Sequence, residues 1–576
     1  MSGRNNQPKG IIFRIIAKKI LNISIFIITV IAIYFISEKV FFRLDLTSEN
    51  RYSISDNSKR LLEGLDKPLE VKIYLDGDLN SGFLRLKKST KEMLDEFSIY
   101  ANSDVKYEFI NPSNAANAEE REKAYNELEK RGLRGTMVYD KDNEGKSIQK
   151  VIFPWAEITY NGKTRPVSLL KNVYGNSGEQ NLNISVENLE FELTDVIRIL
   201  TSKNVQKIAF LEGHGEFPEP LVYDASLALS RYYQVDRGSI TDDPAILDAY
   251  KAVIVAGPTG TFSEKEKYAI DQYIMKGGKV LWLVDGVRIS LDSLSKRPET
   301  IGIMNDLNLS DQLFTYGIRI NPVLVQNVQC ALIPVNMARE GDQPNFQPAP
   351  WYYSPLLLTS PAHPITRNLT PIKSEFVSSI DFVGSDLQLK REMLLVTSTG
   401  SHIQNVPSIV SMDVINVEQN GQYFNINAPI LTGVLEEGVF PSVFKNRMVP
   451  EGVKTTEKTI FESKPTKMIV IADGDIIRND VQGHGENMNI LPLGLDKYMN
   501  QQFGNKDLIL NAVNYLTDDD GWMSLRNREI KMRLLNKPTV VGMRKFWQVS
   551  NFLLPLLALG IFGVSFFFIR KKKYSK

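Results

Sequence analysis

Two long apolar runs stand apart from an otherwise mixed pattern, one near each end of the chain. Residues 20–36 read ILNISIFIITVIAIYFI, and the run extends through Phe42. Residues 549–569 read VSNFLLPLLALGIFGVSFFFI. A hydrocarbon core about 30 Å thick takes about 20 helical residues, so the pattern predicts transmembrane helices at 20–42 and 547–569. Pro555 and the glycines of the second run are tolerated in membrane helices. Arg4, Lys9, Arg14, Lys18 and Lys19 precede the first run, and Arg570, Lys571, Lys572, Lys573 and Lys576 follow the second. Positive flanks stay cytoplasmic. Both basic tails, 1–19 and 570–576, are therefore expected inside, with everything between the helices on the far side. A cleaved signal peptide fits the first run poorly, because the run is too long and SEKVFFRLDL after it offers no small-x-small cleavage site.

Between the runs the pattern switches repeatedly between periods of two and 3.6. Residues 53–64 predict a capped helix ended by Gly64. In LEVKIYLD (69–76), Leu69, Val71, Ile73 and Leu75 share one face, which predicts a half-buried strand. Leu86, Met93, Phe97 and Tyr100 recur at helical spacing in 83–101, and VKYEFI (105–110) alternates again. A charged helix at 118–131 and strands at 136–139, 150–160 and 165–169 complete a small α/β domain, 43–184. Its last stretch, 172–181, has loop composition. A helix opened by Ser185 is expected over 185–202. KIAFL (207–211), KAVIVAG (251–257) and KVLWLVD (279–285) are short apolar strands, and 261–278 reads as an amphipathic crossover helix ended by Gly277-Gly278. MLLVTST (393–399), PILTGVLE (429–436) and KMIVIADG (467–474) continue the pattern, followed by a helix at 506–518. Short apolar strands alternating with helices predict an α/β fold with a doubly wound, mostly parallel sheet. This central domain is expected over 185–520. It contains an insertion rich in Pro and Asn near 290–375, and a juxtamembrane segment, 521–546, follows it.

Composition narrows the classes. The 576 residues carry a net charge of +1, so the chain lacks the basic footprint of a nucleic-acid binder. The single cysteine, Cys330, excludes an intrachain disulfide, and stability must come from apolar cores.

The common catalytic signatures are missing. Gly162-Lys163-Thr164 resembles the end of a phosphate loop, but Glu157 stands where the upstream glycine is required. There is no G-x-S-x-G elbow, and Cys330 sits in QNVQCALIP, the setting of a small buried hydrophobe. Gly-His-Gly-Glu occurs twice, at 213–216 and 483–486, each after a predicted strand. Ligands of doubly wound sheets bind beyond the carboxyl ends of the strands. Glu212, His214, Glu216, Asp285, Asp473, Asp475 and His484 are therefore the candidate ligand-binding set; the alternative is a pair of glycine-rich turns with solvated polar residues. No spacing specifies a metal, and no metal or cofactor is expected. On the last helix, Ala558, Gly560, Gly563 and Ser565 are small enough for close packing with another helix.

Several blocks carry a family resemblance: 45–98, FPWAEITYNGKTRPVSLL (153–170), SVENLEFELTDVIRIL with KIAFLEGHGEF (185–217), ILTGVLEEGVFPSVFKNR (430–447) and the segment 469–516. Together with both membrane runs they resemble, in order, the GldG-type gliding-associated auxiliary proteins of Bacteroidetes ABC transporters. The resemblance implies a non-catalytic periplasmic subunit anchored in the bacterial inner membrane and linked to gliding motility and protein secretion. It implies a multi-span permease as partner, a cytoplasmic ATPase reached through the permease, and a homodimer within the complex. Membrane lipid is the other expected contact, and nucleic acid is not. It also implies a central domain similar to a class I glutamine amidotransferase without its nucleophile. Two other functions fit the residues: a structural bracket of an envelope machine, and an envelope hydrolase pairing Glu212 with Asp473 or Asp475.

Overall fold

The computed structural model describes residues 53–141, 147–173, 175–202, 204–289, 294, 297–338, 343–385, 387–455, 457–483, 488–527 and 542–574. The expected first membrane helix, 20–42, lies outside them. The chain divides into two compact units, Met1–Ile54 and Ser55–Lys576, and the elements that follow all belong to the second.

Helix α1 (Asp56–Glu63) starts where the Ser55 hydroxyl accepts from the Ser58 N–H and stops at Gly64. Strand β1 (Leu69–Ile73) alternates buried and exposed residues, as its sequence demands. Helix α2 (Ser81–Tyr100), β2 (Val105–Phe109), α3 (Ala118–Lys130), the hairpin β3 (Thr136–Lys141) and β4 (Ser147–Ile152), then β5 (Trp155–Tyr160) and β6 (Lys163–Ser168) follow. The run expected as one strand over 150–160 is thus two, broken at Phe153-Pro154. The sheet order is β2-β1-β5-β6. Asn161 and Gly162, both at positive φ, are the two-residue Asn-Gly turn that joins β5 to β6; Gly162-Lys163-Thr164 is thus the end of a hairpin turn and the start of β6.

Helix α4 runs over Gly178–Thr201, with a capping box between Ser177 and Gln180. The helix therefore begins within the stretch expected as loop, and Ser185, expected to open it, lies inside. Ser185 is buried, donates to the Asn181 carbonyl and accepts from the Lys171 N–H.

A ten-stranded sheet forms the larger part. Its first strands are β7 (Lys207–Leu211), β8 (Gln234–Gly238), β9 (Ala252–Ala256) and β10 (Val280–Leu283), with α5 (Tyr223–Leu229) after β7 and α6 (Glu264–Met275) after β9. Short strands β11 (Val287–Arg288) and β12 (Glu299–Met304), helix α7 (Ser310–Tyr316), then β13 (Ile318–Ile320), β14 (Val323–Asn327), β15 (Cys330–Asn336), β16 (Phe346–Thr359), β17 (Ile372–Lys373) and β18 (Ile380–Phe382) occupy the region of the expected insertion and its edge. Next come β19 (Leu389–Val396), β20 (Ser401–Asn405), β21 (Ser408–Ser411), β22 (Leu431–Gly438), β23 (Thr466–Ile471) and α8 (Asn505–Thr517). The order is β15-β16-β19-β22-β23-β10-β9-β7-β8, with β17 beside β16. Strands β23, β10, β9, β7 and β8 pair in parallel, whereas β15, β16, β17, β19 and β22 pair antiparallel. The sheet is mixed rather than mostly parallel. Strands of the 393–399 and 429–436 regions read alike in either direction, because buried parallel and antiparallel strands share one apolar pattern.

Both faces of the parallel part are covered. Ile208, Phe210, Ile254, Leu281 and Ile469 pack with residues of α5 and α8, and Val253, Val255, Trp282 and Val470 pack with residues of α6 and α7. Each fully buried large apolar side chain contributes about 1.5–3 kcal/mol. The last helix, α9 (Arg544–Tyr574), contains a span, Arg544–Lys573, long and apolar enough to cross a membrane, with none of it buried. Ala558, Gly560, Gly563 and Ser565 lie on this helix, and a Cβ added at either glycine would meet nothing within 4 Å.

Candidate functional site

The strand-end loops after β10 and β23 meet. A Cβ on Gly474 would lie 2.7 Å from the Gly257 Cα and 2.8 Å from Asp285 Oδ2, so only glycine fits where the loops after β9, β10 and β23 touch. Asp285 Oδ1 accepts from the Gly474 N–H at 2.7 Å. Asp473, with no exposed surface, accepts from the Asp475 N–H through Oδ1 and from the Glu375 N–H through Oδ2, each at 2.8 Å. Asp475 Oδ1 pairs with Arg478 Nη1 at 2.9 Å. Three candidate residues, Asp285, Asp473 and Asp475, therefore converge, joined by Glu375 and Arg478.

Crowding these carboxyls out of water disfavours their charge. Burial, then the charge of Asp475, pushes Asp285 up to about 7, and the same two causes push Glu375 up to about 7. Burial and the charges of Asp285 and Asp475 hold Asp473 well above the ordinary carboxylate range. Burial opposes the charge on Arg478, but Asp475 and the neighbouring carboxylates outweigh it and raise its pKa.

Asp475 and Arg478 border two cavities. One, about 230 Å³, is lined by Lys373, Glu375, Asp480, Lys497, Trp351, Tyr498 and the β15 residues 331–333. The other, about 110 Å³, is lined by Phe217, Gly257, Thr259, Asp285 and Asn305. It sits where the parallel strand order reverses between β7 and β9, the place where α/β sheets open a crevice for ligands.

The remaining candidates have other partners. Glu212 Oε1 pairs with Arg237 Nε at 2.7 Å. His214, 4% exposed, lies between Glu216 Oε1 at 3.0 Å and Glu266 Oε1 at 3.1 Å and stacks on Phe262 with ring centroids 3.6 Å apart. Its carbonyl accepts from the Thr259 and Gly260 N–H groups at 2.8 and 2.6 Å. Gly213 and Gly215 stand at positive φ, so the first Gly-His-Gly-Glu is a turn that ties the end of β7 to the loop after β9 and to α6. His484 lies outside the described residues. Among the described residues no group of three His, Cys, Asp or Glu is placed to hold a metal ion. Cys330 is half-buried on β15, and burial pushes its thiol up to about 12, far from nucleophilic readiness.

The comparisons with known proteins bear on this same region. Residues 205–512 match the family described as "ABC-type uncharacterized transport system". The chain belongs to that family. Residues 48–159 match a domain of unknown function, DUF7088. No curated protein matches. The solved chain titled "mmIFT52 N-terminal domain" is similar at 13% identity and a TM-score of 0.30, over 55% of this chain and 99% of that one. The family segment contains the whole strand-end cluster and both cavities. An accessory role in an ABC-type transport system follows from membership, and α9 is an element able to anchor it.

Glu375 and Arg478 were not among the sequence candidates. Glu375 follows β17 in the region whose fold gave no periodic signal. Arg478 lay closer to view, three residues after Asp475 at the end of a readable strand, where an opposite charge at i+3 pairs readily.

Proposed function

We propose that this chain is a non-catalytic accessory subunit of an ABC-type transporter, anchored in a bacterial inner membrane, with its α/β region in the periplasm binding a polar partner or cargo at the strand ends. The observation that carries this is the family match over 205–512, the segment that builds the cluster and its cavities. Asp285 and Asp473 accept main-chain N–H groups and hold neighbouring loops together, which suits a preformed binding surface better than proton shuttling. In this reading the five parallel strands, with helices on both faces, form a doubly wound core similar to an amidotransferase without its nucleophile. The unit before α4 and the region after it act as two domains. The partners are a multi-span permease and its ATPase, with two copies of the chain per complex, and the system serves gliding motility and protein secretion.

The test is a mild-detergent pull-down of the tagged full-length protein with mass spectrometry. Recovery of a multi-span permease and an ATPase in fixed ratio is the expected result. Recovery of neither, with envelope components instead, would replace this reading with the structural bracket.

A further inference from the structure

The larger cavity meets the ten-stranded sheet at its edge. Three successive residues of β15, 331–333, line it. Neighbours on a strand point to opposite faces, so a cavity that touches all three lies beside the strand. Strand β15 ends the sheet, and among the described residues it pairs only with β16. Across that ladder Pro334 faces Pro348 and Leu332 faces Pro350. Two prolines cannot exchange N–H bonds, and bonded and non-bonded pairs alternate in an antiparallel ladder. Leu332 and Pro334 are therefore the non-bonded positions. The N–H and carbonyl of Leu332 point outward from β16, toward the free edge.

The side chains around the cavity are charged with both signs and incompletely partnered. Lys373 Nζ lies 3.7 Å from Asp496 and 4.0 Å from Asp480, and Lys497 Nζ lies 4.0 Å from Asp480. These separations exceed hydrogen-bonding range, so both ammonium groups have donors to spare. At about 230 Å³ the cavity is smaller than the roughly 300–1,000 Å³ of drug-sized sites, enough for the end of a chain.

We propose that this cavity takes the carboxyl end of an extended peptide. The peptide main chain adds to the edge of β15 at Leu332, its terminal carboxylate lies between Lys373 and Lys497, and Glu375 accepts one of its N–H groups. Strand addition supplies sequence-independent affinity, and the charged pocket fixes the register. The inference rests on the strand ends being a binding site, and it names the ligand class.

The experiment uses the full-length protein in detergent and a pool of random heptapeptides with free carboxyl ends. Peptides that remain bound through gel filtration are counted by mass spectrometry, beside the same pool amidated at the carboxyl end. Retention of the free-acid pool is expected to exceed that of the amide pool by at least about tenfold, and Lys373→Glu with Lys497→Glu should remove the difference. Leu332→Pro deletes one outward N–H and no ladder bond, so retention should fall by about 2- to 10-fold with the melting temperature unchanged. Equal retention of the two pools, no retention, or displacement by an equal concentration of free amino acids would overturn the proposal. Failure here with permease and ATPase still co-purifying removes the peptide alone; loss of co-purification removes the transporter reading.

Discussion

Asp285→Asn is expected to stabilise the protein, and more at pH 8 than at pH 5. Asparagine keeps the oxygen that accepts from the Gly474 N–H and removes the charge that faces Asp475. The folded-state pKa of Asp285 is raised from 3.8 to about 7. A raised acid keeps its proton in the folded chain while the unfolded chain releases it. Its penalty is therefore absent below the unfolded value, grows as pH rises, and is complete above about 7. At ~1.36 kcal/mol per pH unit the complete penalty is about 4 kcal/mol, and about 2–3 kcal/mol of it accrues between pH 5 and pH 8. Neighbouring carboxyls share protons with Asp285, so the observed gain should be smaller, about 1–2 kcal/mol. Thermal unfolding of wild type and variant at both pH values measures it. With ~2–4 °C per kcal/mol for a domain of 150–250 residues, and less for a larger one, a rise of a few degrees at pH 8 and a smaller one at pH 5 is the expected result. A variant equally or less stable than wild type at both pH values would refute the argument that charge crowding governs this site.

Arg478→Met should act in the opposite sense, because it leaves Asp475 without its 2.9 Å partner. A loss of about 2–4 kcal/mol is expected, larger at pH 8 than at pH 5 in the same melting assay. His214→Gln tests the turn after β7. Burial lowers the His214 pKa, but hydrogen bonds and charge from Glu216 and Glu266 outweigh it and raise the value above 6.5. The ionic contribution of His214 is then fully present below 6.5 and lost as pH rises through the folded value, so the variant should lose about 1–2 kcal/mol at pH 6 and less at pH 9. Gly560→Leu with Gly563→Leu on α9 should reduce permease recovery in the pull-down severalfold; unchanged recovery would remove that helix face as the contact.

Much of the architecture was legible because burial imposes its period on the chain. Leu69, Val71 and Ile73 alternate because one face of β1 is buried, and the runs at 207–211, 252–256 and 280–283 are continuous because both faces of their sheet are covered. Direction was not legible, since β19 and β22 bury the same residue types that parallel strands do. The region 290–375 gave no period because its strands are mostly short, some of two or three residues, and because β16 carries Pro348, Pro350 and Pro355 along fourteen residues. Of the candidate site, the strand-end rule found Asp285, Asp473 and Asp475. It also collected Glu212, His214 and Glu216, which share the address but are engaged with Arg237, Glu266 and each other. Sequence gives the strand a residue follows; it does not give the partner its side chain finds.

The distinction between those two groups bears on function. His214 with Glu216 and Glu266 is a network of opposite charges, and its removal should weaken the fold. The cluster of Asp285, Asp473, Asp475 and Glu375 sets like charges together with Arg478 as the guanidinium that borders both cavities. Such an arrangement lowers stability, and sites that break local rules at a folding cost are where binding or catalysis is expected. A peptide N–H donated to Glu375 relieves part of that crowding, so part of its binding energy is already stored in the free protein. Asp285 borders the smaller cavity and not the larger one, so Asp285→Asn should stabilise the fold while leaving retention of the free-acid peptides nearly unchanged, which separates the folding cost of the crowding from the peptide contacts.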